Sequence, residues 1–132
     1  MANALYTIGR ARILDGAIAW SSHDIKLVFT DHGVDTPVPA TDDDLSDIAT
    51  ATIATSGNFA SKTSTAGVAD AADITVATVT GAQFESINIY DDTHASDALI
   101  AYIDTATGLP FTPSGGDIEV QWDAGANRIF CL

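Results

Sequence analysis

Hydrophobic positions change their spacing along this chain, and each spacing predicts a different element. Near the start, apolar side chains recur at Leu5, Ile8 and the pair Ile13 and Leu14. That spacing places them on one face of a helix. We therefore predict a short helix over residues 4–14, ending near Gly16.

Residues 24–30 have a different character, because β-branched and aromatic side chains fill a run of strand length. Gly33 and Pro37 follow as breakers, and with Pro39 they predict an extended loop. Residues 41–48 then resemble a helix start of a single turn, with Thr41 or Asp42 as the cap. From there the chain is rich in Thr, Ala and Ser, and its possible strands at 51–55, 59–63 and 67–69 are weakly specified.

The second half is clearer. Alternating apolar and polar residues at 87–90 and 118–122 predict strands with one buried face and one face that is wet or partnered. A turn over 123–127 predicts a hairpin that pairs the last two strands. Five strands are expected here, bounded by Gly, Pro, Asn or Asp, at 73–79, 83–90, 98–104, 117–122 and 128–132.

Many short strands with close turn signals are typical of an antiparallel sandwich. We expect a mainly β fold, jelly-roll-like, with one or two short helices at its edges. A chain of 132 residues, 46% of them hydrophobic, can bury one core, so a single domain over 1–132 is predicted.

Charge narrows the range of partners, because 18 acidic residues face 5 basic ones and the net charge is −13. Binding to nucleic acid depends on clustered Lys and Arg. The cations here are scattered, and an anionic membrane would repel the chain. Nucleic acid and membranes are therefore not expected as partners. The basic residues are Arg10, Arg12, Lys26, Lys62 and Arg128.

The apolar stretch 13–20 is short and interrupted by Asp15 and Gly16, so we expect no targeting segment. The single Cys131 cannot form an internal disulfide. Both observations indicate a protein made and kept in a cytoplasm, with Cys131 as a small apolar strand residue.

No motif for catalysis or cofactor binding stands out. His23, His32 and His94 lie alone in predicted loops, without metal-ligand spacing, and no nucleotide-binding or nucleophile motif occurs. Glu85 and Glu119 do not form an evident acid pair. We predict no catalytic, cofactor-binding or metal-binding residues, and no enzymatic activity.

Two acidic clusters offer several carboxylates each, which are the ligands that calcium prefers. Neither has the alternating ligand pattern of a calcium loop, so helix capping and solvated turns are the preferred interpretation. Trp20 and Trp122 could stack on sugars, but a single Trp on an alternating strand is more often part of a core. The clusters are Asp42, Asp43 and Asp44 with Asp47, and Asp91 and Asp92 with Asp97.

The C-terminal third resembles a group of small structural proteins of tailed phages. The residues that carry the resemblance are LIAYIDTATGLP (99–110), TPSGGDI (112–118), WD (122–123), GAN (125–127), IF (129–130) and Leu132. Earlier parts fit as well, namely ALYT (4–7), LDGAI (14–18), VADAAD (68–73) and QFESINIY (83–90). Ile8 and Cys131 stand where that pattern has Lys, and residues 35–44 match it poorly.

The resemblance implies a virion protein, here a capsid decoration or cement protein on the capsid surface. Its partners would be the major capsid protein and copies of itself, and a homotrimer is the expected state. One alternative is a neck or tail component with six-fold or twelve-fold symmetry. Another is a surface module that binds glycans through Trp20 or Trp122.

Overall fold

The computed structural model describes residues 3–126 and 128–132, and the core of that part is a five-stranded antiparallel sheet. Two antiparallel two-stranded sheets accompany it. Single turns of 3-10 helix cover Leu45–Asp47, Ala49–Ala51 and Thr65–Gly67. The predicted mainly β, antiparallel fold with short helices is confirmed. Its elements are β1 (Ala4–Leu5), α1 (Thr7–Leu14), β2 (Ile25–Thr30), β3 (Thr52–Thr55), β4 (Val68–Ala69), β5 (Ile74–Val76), β6 (Ser86–Asp91), β7 (Ala98–Ile103), β8 (Ile118–Val120) and β9 (Phe130–Cys131).

The central sheet has the strand order β1-β7-β6-β2-β3, and one of its faces carries the main core. Leu27 of β2 lies opposite Ile89 of β6, and Phe29 lies opposite Ile87. The two small sheets contribute Val76 and Val120, among others, to the same apolar cluster. The layers therefore pack face to face in a sandwich-like arrangement, whereas the jelly-roll connection order stays a prediction.

The second face of the central sheet is also covered. Tyr90 and Tyr102 of this face form a separate buried cluster with Tyr6 and Ile48. Ile48 ends a long connection, residues 31–48, that crosses this face. All six residues of β6 are buried as a result. The face of β6 that carries the polar residues of the alternating pattern at 87–90 is therefore covered by other residues and is not exposed to solvent.

The predicted hairpin between the last two strands is wrong. β8 pairs with β5, and β9 pairs with β4, so the two final strands belong to different sheets. Asp123 and Gly125 do form a local turn, in which the Asp123 carboxylate accepts a hydrogen bond from the Gly125 amide at 3.1 Å. Asn127, the last residue of the predicted turn, lies outside the described residues. The turn after β8 therefore does not determine the pairing partner of β9.

The predicted helix over 4–14 is correct only in its second part. Ala4–Leu5 is a strand that pairs with Tyr102 and Ala101 at the edge of β7, and α1 begins at Thr7. Gly9 then lies against the β7 backbone, where an added Cβ would come within 2.6 Å of the Leu99 carbonyl oxygen. Tertiary pairing overrides the helical spacing here, because β1 and α1 together cover an otherwise open sheet edge.

Two further predictions need correction. Only Leu45–Asp47 is helical within 41–48, and Asp42 does not cap it, because its carboxylate accepts a bond from the Val38 amide at 2.7 Å. Residues 59–63 form no strand, since Phe59 instead packs edge-on against Trp20 at 6.0 Å between ring centroids. β3 and β4 lie within the predicted runs 51–55 and 67–69.

Candidate binding surface

The three histidines each bond to a neighbouring part of the fold. The Nδ1 atom of His23 lies 2.5 Å from the Asp91 Oδ2 atom, and the Ala19 amide lies farther from that nitrogen, at 3.4 Å. We assign the shorter contact as the hydrogen bond, so Nδ1–H donates to Asp91. The His94 Nδ1 atom accepts a bond from the Ser96 amide at 3.2 Å.

His32 belongs to a buried polar network beneath residues 31–48. Its Nε2 atom lies 2.9 Å from the Ser86 hydroxyl. The fully buried Asn88 accepts a bond from the Tyr6 hydroxyl at 2.5 Å and donates to the Thr30 hydroxyl at 2.9 Å. Burial raises the pKa of Tyr6 well above the usual range of a phenol, so Tyr6 stays a neutral donor.

Many of the aspartates hold backbone amides in place. Asp91 is fully buried, and its Oδ1 atom accepts bonds from the amides of Thr93 and His94. The other carboxylates that accept a bond from a loop or turn amide are Asp31, Asp42, Asp47, Asp73, Asp117 and Asp123. Much of the acidic composition therefore fixes the loops of this fold.

The two acidic clusters, Asp42–Asp44 with Asp47 and Asp91–Asp92 with Asp97, differ in their electrostatics. Within the first, burial raises the pKa of Asp42, and amide hydrogen bonds lower the pKa of Asp47. In the second, burial and the nearby Asp92 raise the pKa of Asp97. Among residues 3–126 and 128–132, no group of three or more acidic, His or Cys side chains is placed to hold a metal ion.

Trp20 and Trp122 occupy different environments. Trp20 is buried, donates from its indole nitrogen to the Asp70 carbonyl at 3.3 Å, and packs edge-on against Phe130. Trp122 is half-buried and donates to the Ala72 carbonyl at 3.2 Å. The core interpretation therefore fits Trp20, and Trp122 packs against the same core and against Phe59 at 5.4 Å between ring centroids while staying partly exposed. Glu85 and Glu119 lie on different segments, and the Cys131 thiol is exposed.

A groove of about 810 Å³ lies beside β1. We call it the C-terminal groove, because residues 119–123 and 128–131 form one wall and residues 3–5 with 101–107 form the other. Its lining is apolar at Leu5, Ile103 and Phe130. Its charged side chains are Arg10, Arg128, Glu119 and Asp123.

A loop in the connection between β2 and β3 exposes apolar side chains. We call residues 33–38 the valine loop, because Val34 is 59% exposed and Val38 is 43% exposed. Hydrogen bonds hold both of its ends. The Asp31 carboxylate accepts from the Gly33 amide at 2.7 Å, and Asp42 accepts from Val38 as described above.

Sequence reasoning identified neither of these surfaces. The groove joins residues 3–10 to residues 119–123 and 128–131 because β9 pairs with β4, a pairing that no local pattern indicates. The exposed Val38 lies in the segment 35–44, where the resemblance is weakest, and Val34 directly precedes that segment. Their one sequence signal was the pair of prolines, which predicted an extended loop at this place.

Comparison with models of protein families, with characterised proteins and with solved structures finds no significant match to this chain. In the part of the chain that the structure describes, no helix is long and apolar enough to cross a bilayer.

Proposed function

We propose that this protein is a non-enzymatic structural component of a tailed-phage virion, and specifically a capsid decoration protein. It binds the assembled shell, on the capsid surface, in many copies and stabilises it. Its partners are the major capsid protein and further copies of itself, arranged as a homotrimer.

The observation that carries this proposal is that many of the carboxylates accept hydrogen bonds from loop amides of the same fold. Side chains that could take part in chemistry bond instead to loop amides, as Asp47 does to Asp43 and Asp44, or to other side chains, as His23 does to Asp91. The result is an acidic surface whose loops are already fixed. A fixed surface loses little conformational entropy when it docks, which suits a protein that acts by binding.

The resemblance supports the proposal from a second direction. Its C-terminal part includes Trp122, Ile129 and Phe130, which line the C-terminal groove. Thus some of the resembling residues form part of this groove. Gly115 and Gly116 have a different role, because their backbones bond to Val79 and attach the preceding loop to the segment that follows β5.

Binding to a shell rather than to single subunits has a physical basis. A site on a lattice is made from several neighbouring coat subunits, and specific binding needs a contact of about 1,000 Å². That area becomes available only when the shell has formed. Three copies on equivalent surfaces also gain affinity from simultaneous engagement, on the order of a hundredfold or more.

The direct test is sedimentation of undecorated shells of the same phage with purified protein, followed by counting bound copies. We expect saturation at hundreds of copies per shell and no binding to free capsid subunits. Saturation at six or twelve copies would assign the protein to the neck or tail and overturn the decoration role.

A glycan-binding module is the second candidate, and the observation that favours it is the half-buried Trp122 in the C-terminal groove. Gln121 and Asp123, its neighbours in the sequence, also line this groove. Sugars stack on such a ring while neighbouring polar groups bond to their hydroxyls. If no shell is bound and a glycan array gives a signal that Trp122→Ala abolishes, this function replaces the first.

A further inference from the structure

The valine loop exposes apolar side chains on a backbone that the fold already holds in place. The Val34 amide donates to the Asp31 carbonyl at 3.1 Å, and Pro37 between the two valines is buried. The Val38 amide donates to the Asp42 carboxylate at 2.7 Å. Docking of this loop would therefore bury Val34 and Val38 with little cost in backbone ordering.

The two acidic clusters meet beside this loop and form one surface. An isolated β-bridge joins Asp44 to Ala98, and the Leu45 amide donates to the Asp97 carbonyl at 2.9 Å. These contacts bring the two clusters together, although they are far apart in the sequence. We call this surface the acidic rim. Its members are the carboxylates of both clusters that are at least partly exposed, together with the one in the valine loop: Asp35, Asp42, Asp43, Asp44, Asp47, Asp92 and Asp97.

The carboxylates of the acidic rim are close enough to repel one another. Burial raises the pKa of Asp42, and the nearby Asp47, Asp35 and Asp43 raise it further. A positively charged partner would relieve this repulsion, because an opposite charge nearby favours the ionised form of a carboxyl group.

The chain itself supplies little positive charge at this surface. Arg12 pairs with Asp44 at 2.8 Å, and Lys26 pairs with Asp92 at 2.9 Å. Among residues 3–126 and 128–132, no further cation forms an ion pair with the acidic rim. Seven carboxylates therefore face two cations, and the rim keeps a net negative charge.

This charge selects the kind of partner that the valine loop can bind. A second copy of this chain carries the same acidic rim and a net charge of −13, so it would be repelled. A protein surface that has an apolar depression with Lys or Arg around it complements both the valines and the rim. In the proposed function, coat subunits of the shell provide that surface.

We infer that the valine loop and the acidic rim form a docking surface for a basic protein partner, with the valines in an apolar depression of that partner. The loop supplies an apolar centre and the carboxylates surround it, which is the usual arrangement of a protein interface. The identification of the partner as the coat subunit rests on the proposed function.

The apolar centre is tested by sedimentation of undecorated shells of the same phage with purified variants. Val34→Ser should weaken binding roughly tenfold to a hundredfold, because it removes an apolar group that docking buries. Leu132→Ser is the matched control. Leu132 is 57% exposed and its amide bonds to the Gly67 carbonyl, outside the loop and the rim, so its variant should bind like the wild type.

Asp43→Lys tests the acidic rim. Asp43 is exposed, and among the described residues its carboxylate makes no hydrogen bond or ion pair, so the change removes no bond of the fold. The variant should bind several-fold more weakly than the wild type, and its binding should depend less on NaCl concentration. Glu119→Lys in β8 is the control, because it changes the net charge by the same amount at another surface. Melting temperatures of all variants separate a lost contact from a lost fold.

A peptide tests the docking surface when shells bind no protein. An amphipathic peptide of alternating Leu and Lys is titrated into the isotope-labelled full chain, and backbone amide resonances are followed by NMR. The changes should be largest at residues 33–47 and 92–97, and they should weaken in Val34→Ser. Changes centred on other residues, or no changes, would then overturn the inference.

The two proposals fail in different ways. Shells that bind Val34→Ser and Asp43→Lys as tightly as the wild type would overturn this docking surface and leave the decoration role intact. Shells that ignore the protein, together with peptide binding at the valine loop, would do the reverse.

Discussion

Asn88 is the residue on which the second face of the central sheet most depends. Its side chain is fully buried, and its amide bonds to Tyr6, Thr30 and Ser86. Asn88→Ala should destabilise the protein by about 2–4 kcal/mol, because it leaves buried hydroxyl groups without a partner and opens a cavity. Urea unfolding measures this change.

A double-mutant cycle with Tyr6→Phe isolates the bond between these two side chains. The cost of the double variant should be smaller than the two single costs added together, since each single change already removes the shared bond. Additive costs would show that Tyr6 and Asn88 stabilise the fold independently.

Asp97 and Asp47 should respond to pH with opposite signs. Burial and Asp92 raise the pKa of Asp97, so its contribution to stability is present at acid pH and is lost as the pH rises through the folded-state value. Asp97→Asn should therefore raise the melting temperature at pH 7 by about 1–4 °C. A shift of this size corresponds to the free energy that interactions of partly exposed charges usually contribute. Asn also tolerates the left-handed backbone of this residue, at φ 53°.

Asp47→Asn is the matched control with the reverse expectation. Hydrogen bonds from the Asp43 and Asp44 amides lower the pKa of Asp47, so its stabilisation is present above the unfolded-state value and is lost as the pH falls. The variant should melt at a lower temperature than wild type at pH 7. Both differences should shrink as the pH is lowered toward about 3. Differences that stay constant with pH would show that neither carboxyl acts through its charge.

The sequence predicts the general role of a residue more easily than it predicts the partner of its hydrogen bond. Isolated histidines without ligand spacing were predicted to be loop residues, and His23 and His94 do lie outside the helices and strands. The bond between His23 and Asp91 spans 68 positions, and nothing near either residue indicates it. The bond between Tyr6 and Asn88 spans 82 positions, and no local pattern indicates it either.

At the scale of elements, α1 makes a sharp prediction through Gly9. Helix propensity alone favours Gly9→Ala by about 1 kcal/mol. The added Cβ would meet the Leu99 carbonyl oxygen at 2.6 Å, and this oxygen belongs to the backbone and cannot move aside easily. We therefore expect a net destabilisation of about 1–3 kcal/mol, as for overpacked cores.

Gly57→Ala is the control for this test. Gly57 is exposed, and an added Cβ there has no neighbour within 4 Å. Its variant should unfold at nearly the wild-type urea concentration. A stabilised Gly9→Ala variant would mean that α1 can move away from β7.

Strands with strong local patterns were predicted well, and those without them were not. β2, β6 and β7 lie close to the predicted 24–30, 83–90 and 98–104, because each combines apolar content with clear breakers. β1 has only two residues and depends on the edge of β7. The pairing of β8 and β9 depends on strands about 40 to 60 positions earlier, which short-range turn signals cannot indicate.

For the whole molecule, the excess of acidic groups has two consequences. It makes copies of the protein repel one another over most of their surface. It also destabilises the compact folded state, because like charges within one molecule repel each other. The few cations are used locally, as Arg12 is with Asp44, so they relieve only part of this repulsion. Stability should therefore depend on ionic strength.

Raising NaCl from about 0.02 M to 0.5 M should increase the melting temperature by a few degrees, because the screening length falls from more than 20 Å to about 4 Å. The pairs Arg12 with Asp44 and Lys26 with Asp92 weaken at the same time. Each is partly exposed and contributes no more than about 1 kcal/mol, whereas 18 acids against 5 bases make repulsive pairs more numerous. A melting temperature that falls with NaCl would show that the attractive pairs dominate.

A comparison of CaCl₂ with NaCl at the same ionic strength separates the effect of a bound calcium ion from the effect of charge screening. About 2 mM CaCl₂ should shift the melting temperature no more than NaCl of equal ionic strength does. The reason is that both oxygens of Asp91, and the Oδ2 atom of Asp47, already accept bonds from the protein. Binding of calcium would have to break those bonds. A stabilisation of several kcal/mol would imply micromolar affinity, and Asp91→Asn and Asp47→Asn would then show which acidic cluster holds the ion.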